Sequence, residues 1–285
     1  MTSHLVDKAS KTLPLWLLAE ADFRKWRKSQ PVTILNWLDA AGFKGGLGKV
    51  VAWPGKGGAL GGAVAGVPAK TDLWSFAHLP AALPRGTWKV TNALSPAAAT
   101  QVALGFQLGT YAFTRYKKPT ADRRVRLVWP AGADRALVQH LAAAVFLVRD
   151  LVNTPAADMG PAELAAAAER LASEFDAELT TITGDALLAR NYPLVHAVGR
   201  ASSRPPRLVD LRWGEAGAPK VTLVGKGVCF DSGGLDLKPS GGMLTMKKDM
   251  GGAAVVLGVA RAIMAANLPV RLRVLVPAVE NAVSG

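Results

Sequence analysis

Four charged side chains that could bind a metal ion or polarise a substrate lie within one short stretch of the sequence. They are two lysines and two aspartates: Lys226, Asp231, Lys238 and Asp249. Carboxylate oxygens are hard ligands for divalent cations, and the glycines of this stretch would let backbone and solvent approach an ion closely. The stretch is therefore compatible with a divalent-metal site, although an aspartate in a turn is more often simply solvated.

The pattern around these residues predicts the elements that would position them. Residues 221–224 have the pattern of a strand, and residues 251–268 that of a helix rich in small residues. Residues 270–276 have the pattern of a second strand, with Arg271 and Arg273 on its alternate face. Strand, helix and strand in this order predict a parallel pair joined by a right-handed crossover. Because sites in open α/β folds lie at the carboxyl ends of such strands, we expect the four side chains to converge there.

The residues around the four side chains follow a known pattern. Residues 225–234 read Gly-Lys-Gly-Val-Cys-Phe-Asp-Ser-Gly-Gly, and Asp231 is followed at fixed spacing by Leu-Lys-Pro and by Asp-Met-Gly-Gly-Ala-Ala. This arrangement resembles the leucine aminopeptidase (cytosol aminopeptidase) family. The resemblance is clear over residues 145–285, whereas the first half matches mainly in layout.

The resemblance implies a hydrolase that removes leucine-like N-terminal residues from peptides with two divalent metal ions, Mn²⁺ or Zn²⁺, and a bicarbonate base. By position, Lys226, Asp231 and Asp249 match metal ligands, and Asp231 matches the ligand that bridges both ions. Lys238 matches a catalytic lysine, and Met246 matches a wall of the pocket for the substrate's first side chain. Lys226 would have to bind through its neutral lone pair, whereas Lys238 would stay cationic to stabilise an oxyanion.

The resemblance also implies a second ligand segment, Asn-Thr-Asp-Ala-Glu-Gly-Arg, which does not occur in these 285 residues. In the family that segment supplies a further Asp and Glu to the metals and an arginine for the bicarbonate. Without it, one metal would keep three protein ligands and the other would keep only Asp231. We therefore expect a chain that is truncated within its catalytic domain and inactive by itself.

The length, the composition and the order of predicted elements together predict a folded α/β protein of two domains. With 50% hydrophobic and 19% charged residues, the chain can bury a core, which excludes a disordered tail. We predict a mixed α/β N-terminal domain over residues 1–133 and a connecting helix over residues 134–155. A partial α/β catalytic domain with a central, largely parallel sheet is predicted over residues 156–285. Helical spacing predicts a helix over residues 13–28, and the glycine-rich run over residues 55–66 is interpreted as turns and close packing.

The formal charge of +13 is distributed unevenly. Residues 1–130 hold 18 Lys and Arg against 6 Asp and Glu, whereas residues 131–285 hold 16 against 15. A basic first half is compatible with nucleic-acid binding or with a non-catalytic assembly role, which are the alternatives to an enzyme. Neither alternative explains the spacing of Lys226, Asp231, Lys238 and Asp249, so we favour the enzyme.

The remaining features concern assembly and location. The family resemblance implies a homo-hexamer that acts on peptides. The single cysteine, Cys229, lies between Val228 and Phe230 and is predicted to be a core residue without chemistry. No signal-peptide pattern and no uninterrupted apolar span are evident, so we expect a cytoplasmic protein that does not bind membranes.

Overall fold

The computed structural model describes residues 4–117, 125–231 and 239–282. These residues divide into two compact units, Met1–Ala142 and Ala143–Gly285. The boundary between the units falls within one long helix, Arg135–Asn153. Each unit contains its own sheet.

The first unit is built on a six-stranded sheet with the strand order β1-β6-β5-β2-β4-β3. All neighbouring strands are parallel except β3, which pairs antiparallel with β4. The elements of this unit are β1 (Leu5–Val6), β2 (Leu13–Leu18), α1 (Glu20–Arg27), α2 (Val32–Ala40), β3 (Val50–Pro54), β4 (Leu60–Gly66), α3 (Leu79–Ala82), β5 (Gly86–Val90), α4 (Pro96–Gly109), β6 (Val125–Val128) and the start of α5 (Arg135–Asn153).

The predicted helix over residues 13–28 is wrong in its first part. Residues 13–18 form β2, which lies in the sheet between β4 and β5, and only Glu20–Arg27 is helical. A strand inside a parallel sheet is covered on both faces, so it is a continuous apolar run that spacing alone cannot distinguish from a helix. Leu15, Leu17 and Leu18 are accordingly all buried.

The glycine-rich run over residues 55–66 ends in strand β4 rather than consisting only of turns. Close packing nevertheless accounts for several of its glycines. A Cβ on Gly62 would lie 2.4 Å from the Trp53 ring, and one on Gly66 would lie 2.1 Å from the Gly46 carbonyl oxygen.

The second unit is built on a sheet with the order β10-β11-β8-β7, and β9 also pairs with β11. β9 and β10 run parallel to β11, whereas β8 and β7 continue the sheet antiparallel. The elements are the end of α5, α6 (Pro161–Glu174), β7 (Glu178–Thr183), α7 (Ala186–Ala189), α8 (Pro193–Gly199), β8 (Arg207–Trp213), β9 (Lys220–Val224), β10 (Gly227–Cys229), α9 (Ser240–Met243), α10 (Gly251–Ala265) and β11 (Arg271–Glu280).

The predicted strand, helix and parallel strand around the charged residues are confirmed as β9, α10 and β11. Alternate residues of β11 are buried in the core of the unit: Leu272, Val274, Val276 and Ala278. They pack in one cluster with apolar residues of α6 and α10. The intervening residues, which include Arg271 and Arg273, lie on the opposite face of the sheet.

Helix α5 is the single helix within the described ranges whose length and mean hydropathy, 1.3, match a membrane span. Its last turns contribute apolar side chains to the core cluster of the second unit: Leu147, Val148, Leu151 and Val152. Packing in that core accounts for these apolar residues.

Both sheets contain parallel strands and carry helices from the same unit, so the predicted mixed α/β class is confirmed.

Candidate metal centre

Lys226 lies at the break between two short strands on one edge of the second sheet. β9 ends at Val224 and β10 begins at Gly227, while β11 runs unbroken beside both. The Gly225 N–H donates to the Leu275 carbonyl over 3.1 Å, so the chain stays attached to β11 through the break. Lys226 is therefore held by a rigid sheet edge, and its side chain is 59% exposed.

Two glycines allow this edge to touch the beginning of α10. A Cβ on Gly225 would lie 2.5 Å from the Gly252 carbonyl oxygen, and a Cβ on Gly252 would lie 2.8 Å from the Lys226 nitrogen. Because of this approach, the Ala253 N–H of the first helical turn donates to the Lys226 carbonyl over 2.9 Å. The contact satisfies one of the N–H groups that a helix leaves unpaired at its start. Gly225 and Gly252 thus allow the backbone of Lys226 to pack against the start of α10.

Asp249 lies just before α10 and faces Lys226. It follows a 3-10 turn over Met246–Lys248, and its N–H donates to the Met246 carbonyl over 2.9 Å. The Lys226 Nζ donates to Asp249 Oδ1 over 2.5 Å, and the Asp249 side chain is 17% exposed. Two of the predicted ligands, 23 positions apart in sequence, are therefore in direct contact.

Of the other predicted site residues, the structure describes Asp231 and Met246. Asp231 is half-buried and lies two residues beyond the end of β10, at the same end of the sheet as Lys226. Met246 is half-buried and begins the turn that carries Asp249. Lys238 lies outside the described residues.

The donor atoms of this edge fit a divalent cation through an unusual set of ligands. Within residues 4–117, 125–231 and 239–282, no three His, Cys, Asp or Glu side chains are grouped as metal ligands. At this edge the Lys226 amine and the Asp249 carboxylate are in contact, and both are types of donor that divalent cations accept. In the structure Lys226 donates a hydrogen bond to Asp249, so a cation would take the place of that lysine proton.

Cys229 is fully buried, as predicted for a core residue. Burial first, and then the negative charges of Glu280 and Glu163, raise the pKa of its thiol to about 12. The thiolate form is therefore scarce at neutral pH, and the residue packs in the core cluster with Met250 and Val276.

A partly buried ion pair near the site was not predicted from the sequence. Glu280, at the end of β11, accepts hydrogen bonds from Ser202 Oγ at 2.7 Å and from Arg204 Nη1 at 3.3 Å. Arg204 also donates to the carbonyl of Ala157 over 2.8 Å. Glu280 is the register partner of Cys229 on β10, two residues before Asp231. The pair therefore ties two separate segments, the turn at Ala157 and the loop over residues 202–204, to the strand ends that carry the site.

Comparison with known families matches both halves of the chain. The model of the cytosol aminopeptidase family catalytic domain covers residues 146–285, and that of the M17 aminopeptidase N-terminal domain covers residues 13–130. Among curated relatives, the probable cytosol aminopeptidase of Leifsonia xyli is 37% identical over 266 residues. That alignment covers 87% of this chain and 53% of the relative, so the chain spans about half the length of the curated relatives it matches.

Two solved structures are also similar to this chain. The cytosol aminopeptidase of Coxiella burnetii superposes with a TM-score of 0.89 and 43% identity, covering 98% of this chain and 61% of that one. The bottromycin maturation enzyme BotP, solved in complex with Mn, superposes with a TM-score of 0.77 and 33% identity, covering 96% of this chain and 60% of that one.

The two units correspond to the N-terminal and catalytic domains of one peptidase family. The chain belongs to the M17, or cytosol aminopeptidase, family.

Proposed function

We propose that the protein is a metal-dependent aminopeptidase that removes leucine-like residues from the N-termini of peptides. The observation that carries the proposal is the contact between Lys226 and Asp249, at the end of the sheet where Asp231 also lies. An ion pair whose lysine is largely exposed contributes little stability, so a structural role alone does not account for this contact. A role of both residues as metal ligands would explain the contact.

Three residues would hold the first ion, and one of them would reach the second. Lys226, Asp231 and Asp249 would bind one cation, with Asp231 bridging to its neighbour. When bound, two such ions activate a water molecule and polarise the peptide carbonyl. Mn²⁺ is the ion named with the related BotP structure, and Zn²⁺ is the other candidate for this donor set.

Two further residues would act on the substrate. Lys238 would remain cationic and stabilise negative charge as it develops on the scissile carbonyl oxygen. Met246 would form part of the wall of the pocket for the first side chain, since its turn also carries Asp249. A flexible thioether in a half-buried position suits apolar side chains of several shapes.

We further propose that these 285 residues alone do not turn over substrate. The second ion would have one ligand, Asp231, among the residues present, and the arginine expected to hold a bicarbonate base is not among them. Peptides are the proposed substrates, a homo-hexamer is the proposed assembly, and the cytoplasm is the proposed location. A nucleic-acid-binding role would explain the charge of residues 1–130 but not the pairing of Lys226 with Asp249.

Calorimetric titration of Mn²⁺ into the 285-residue chain tests the ligand assignment. We expect one tight site per chain, with an affinity that falls about tenfold or more in Asp249→Asn, because a charged ligand is lost. Glu169→Gln, on the exposed surface of α6, serves as a matched control and should leave the affinity unchanged. Equal binding by all three proteins would contradict the assignment.

A leucine amide assay on the same chain tests the proposed inactivity. With Mn²⁺ or Zn²⁺ added, we expect no hydrolysis above that of the Asp249→Ala variant. Metal-dependent turnover that this variant abolishes would overturn the proposed inactivity while supporting the aminopeptidase assignment.

A further inference from the structure

Four cationic side chains line one cavity on the second sheet, at the opposite end from the candidate metal centre. The cavity has a volume of about 250 Å³ and opens on the face of the sheet that carries Arg271 and Arg273. Its lining consists of Arg212, Lys220, Thr222, Arg271, Leu272 and Arg273. Within the described residues, no acidic side chain lines it.

The strand register explains why these side chains converge. Arg273 is the register partner of Arg212 on β8 and of Thr222 on β9, and Arg271 is the partner of Lys220. Register partners have their side chains on the same face, with Cβ atoms about 5 Å apart, and alternate residues of one strand share that face. The cationic groups therefore form two adjacent rows across three strands.

One acid holds two of these cations in place. Asp210 is 12% exposed and accepts hydrogen bonds from Arg273 through Nε at 3.0 Å and Nη2 at 2.8 Å. Arg212 donates to the same carboxylate through Nη2 at 2.9 Å. Arg212 also donates to Asp210 through Nε over 3.4 Å, and Tyr192 is a further hydrogen-bond partner of Arg273. The acid thus orients both arginines without using all of their donors.

The other two cations have no such partner. Among the residues that the structure describes, neither the Lys220 nor the Arg271 side chain has a hydrogen bond or ion pair. Like charges directly opposite each other on a sheet lower its stability. Two further acids, Asp176 and Glu178, line a neighbouring cavity that Arg212 and Arg271 also line. An anion inside the first cavity would relieve this repulsion.

We propose that this cavity binds a phosphate group, either as inorganic phosphate or as the phosphate of a small molecule. Guanidinium groups donate paired hydrogen bonds that match phosphate oxygens, an ammonium adds a point charge, and the Thr222 hydroxyl can also donate. A volume of about 250 Å³ suits a small multivalent anion. The class of ligand follows from this combination of two oriented arginines with a lysine and an arginine that have no acidic partner.

The site is remote from the proposed chemistry. Thr222 lines the cavity and Lys226 lies four residues further along the same sheet edge, so about 13 Å of strand separates them. A phosphate bound here would not touch Lys226 or Asp249. The proposal therefore stands or falls independently of the aminopeptidase assignment.

Thermal unfolding of the 285-residue chain in increasing inorganic phosphate tests the proposal, with sodium chloride at matched ionic strength as the reference. We expect a saturable rise in Tm with phosphate that chloride does not reproduce. The double variant Lys220→Gln, Arg271→Gln should weaken phosphate binding about tenfold or more, since each change removes a charge-assisted hydrogen bond. Arg170→Gln removes a charge from α6, which packs on the opposite face, and should change nothing.

The same experiment supplies a check on folding and on the source of the phosphate. Without phosphate, the double variant should have a Tm at least as high as that of the unaltered chain, because the repulsion is relieved. A nucleoside monophosphate that raises Tm more than inorganic phosphate would assign the site to a larger ligand. A phosphate effect that is absent, that chloride reproduces, or that the double variant retains would overturn the proposal.

Discussion

Lys226 and Asp249 illustrate how far single residues could be assigned from the sequence. Their convergence was predicted from the strand, helix and strand order, which brings the end of β9 to the start of α10. Their direct hydrogen bond depends on the close approach of Gly225 and Gly252, which motif spacing does not give. The ion pair of Arg204 with Glu280 could not be predicted from the sequence, because the two residues are 76 positions apart and Arg204 lies in a loop.

Asp210 gives a prediction for single residues. Asp210→Asn should lower the free energy of unfolding by about 2 kcal/mol near neutral pH, because two arginines lose a charged acceptor. Burial alone would raise the pKa of this carboxyl, but the hydrogen bonds from Arg273 and Arg212 outweigh burial and lower it. A lowered pKa stabilises the folded protein above the unfolded value of about 3.9, and this contribution is lost as the pH falls through the folded pKa.

Urea unfolding of both proteins between neutral pH and about pH 3 measures this effect. The stability difference should shrink as the pH falls below about 4, because the Asp210 carboxyl of the unfolded chain takes up a proton there, whereas that of the folded chain does so only at its lowered pKa. Glu169→Gln, at an exposed position on α6, is the control and should show little difference at any pH. A difference for Asp210→Asn that stays constant down to pH 3 would contradict the account.

At the scale of elements, the second unit was predicted more accurately than the first. The order of β9, α10 and β11 could be predicted because α10 is a run of small residues between two apolar strands. Strand β2 was mistaken for part of a helix because a strand covered on both faces has no alternation. Strand β4 was missed because its glycines, which allow close contact with Trp53 and Gly46, carry no strand signal.

The contact between β9 and α10 gives a prediction for elements. Gly225→Ala should destabilise the second unit by about 2 kcal/mol or more, because the new Cβ would meet backbone atoms of α10. Mn²⁺ affinity should fall in the same variant, since Lys226 is displaced from Asp249. Gly217→Ala is the matched control, because nothing lies within 4 Å of its Cβ. Urea unfolding and Mn²⁺ titration measure both effects, and equal stability of the two variants would count against this packing.

At the scale of the whole chain, the two units differ in charge and in tryptophan content. Residues 1–130 carry nearly all of the basic excess, and seven of the eight tryptophans lie before residue 143, with Trp213 the exception. The proposed metal ligands all lie in the second unit. Fluorescence therefore reports mainly on the first unit, whereas circular dichroism reports on both.

This distribution predicts how Mn²⁺ should affect unfolding. The fluorescence-detected transition should keep its midpoint, whereas the circular dichroism transition should gain a component that moves to higher temperature, because only the unit that binds the ion is stabilised. The Asp249→Asn variant should lose that shift. Equal shifts by both methods would show that the units unfold together.

The most direct test of the central claim is hydrolysis of leucine amide by the protein purified from its source organism. The account predicts an activity that requires Mn²⁺ or Zn²⁺, that falls by at least about a hundredfold in Asp249→Ala, and that survives in Glu169→Gln. A protein that binds no divalent metal, or that hydrolyses the amide equally well with and without the Asp249 carboxylate, would contradict the account.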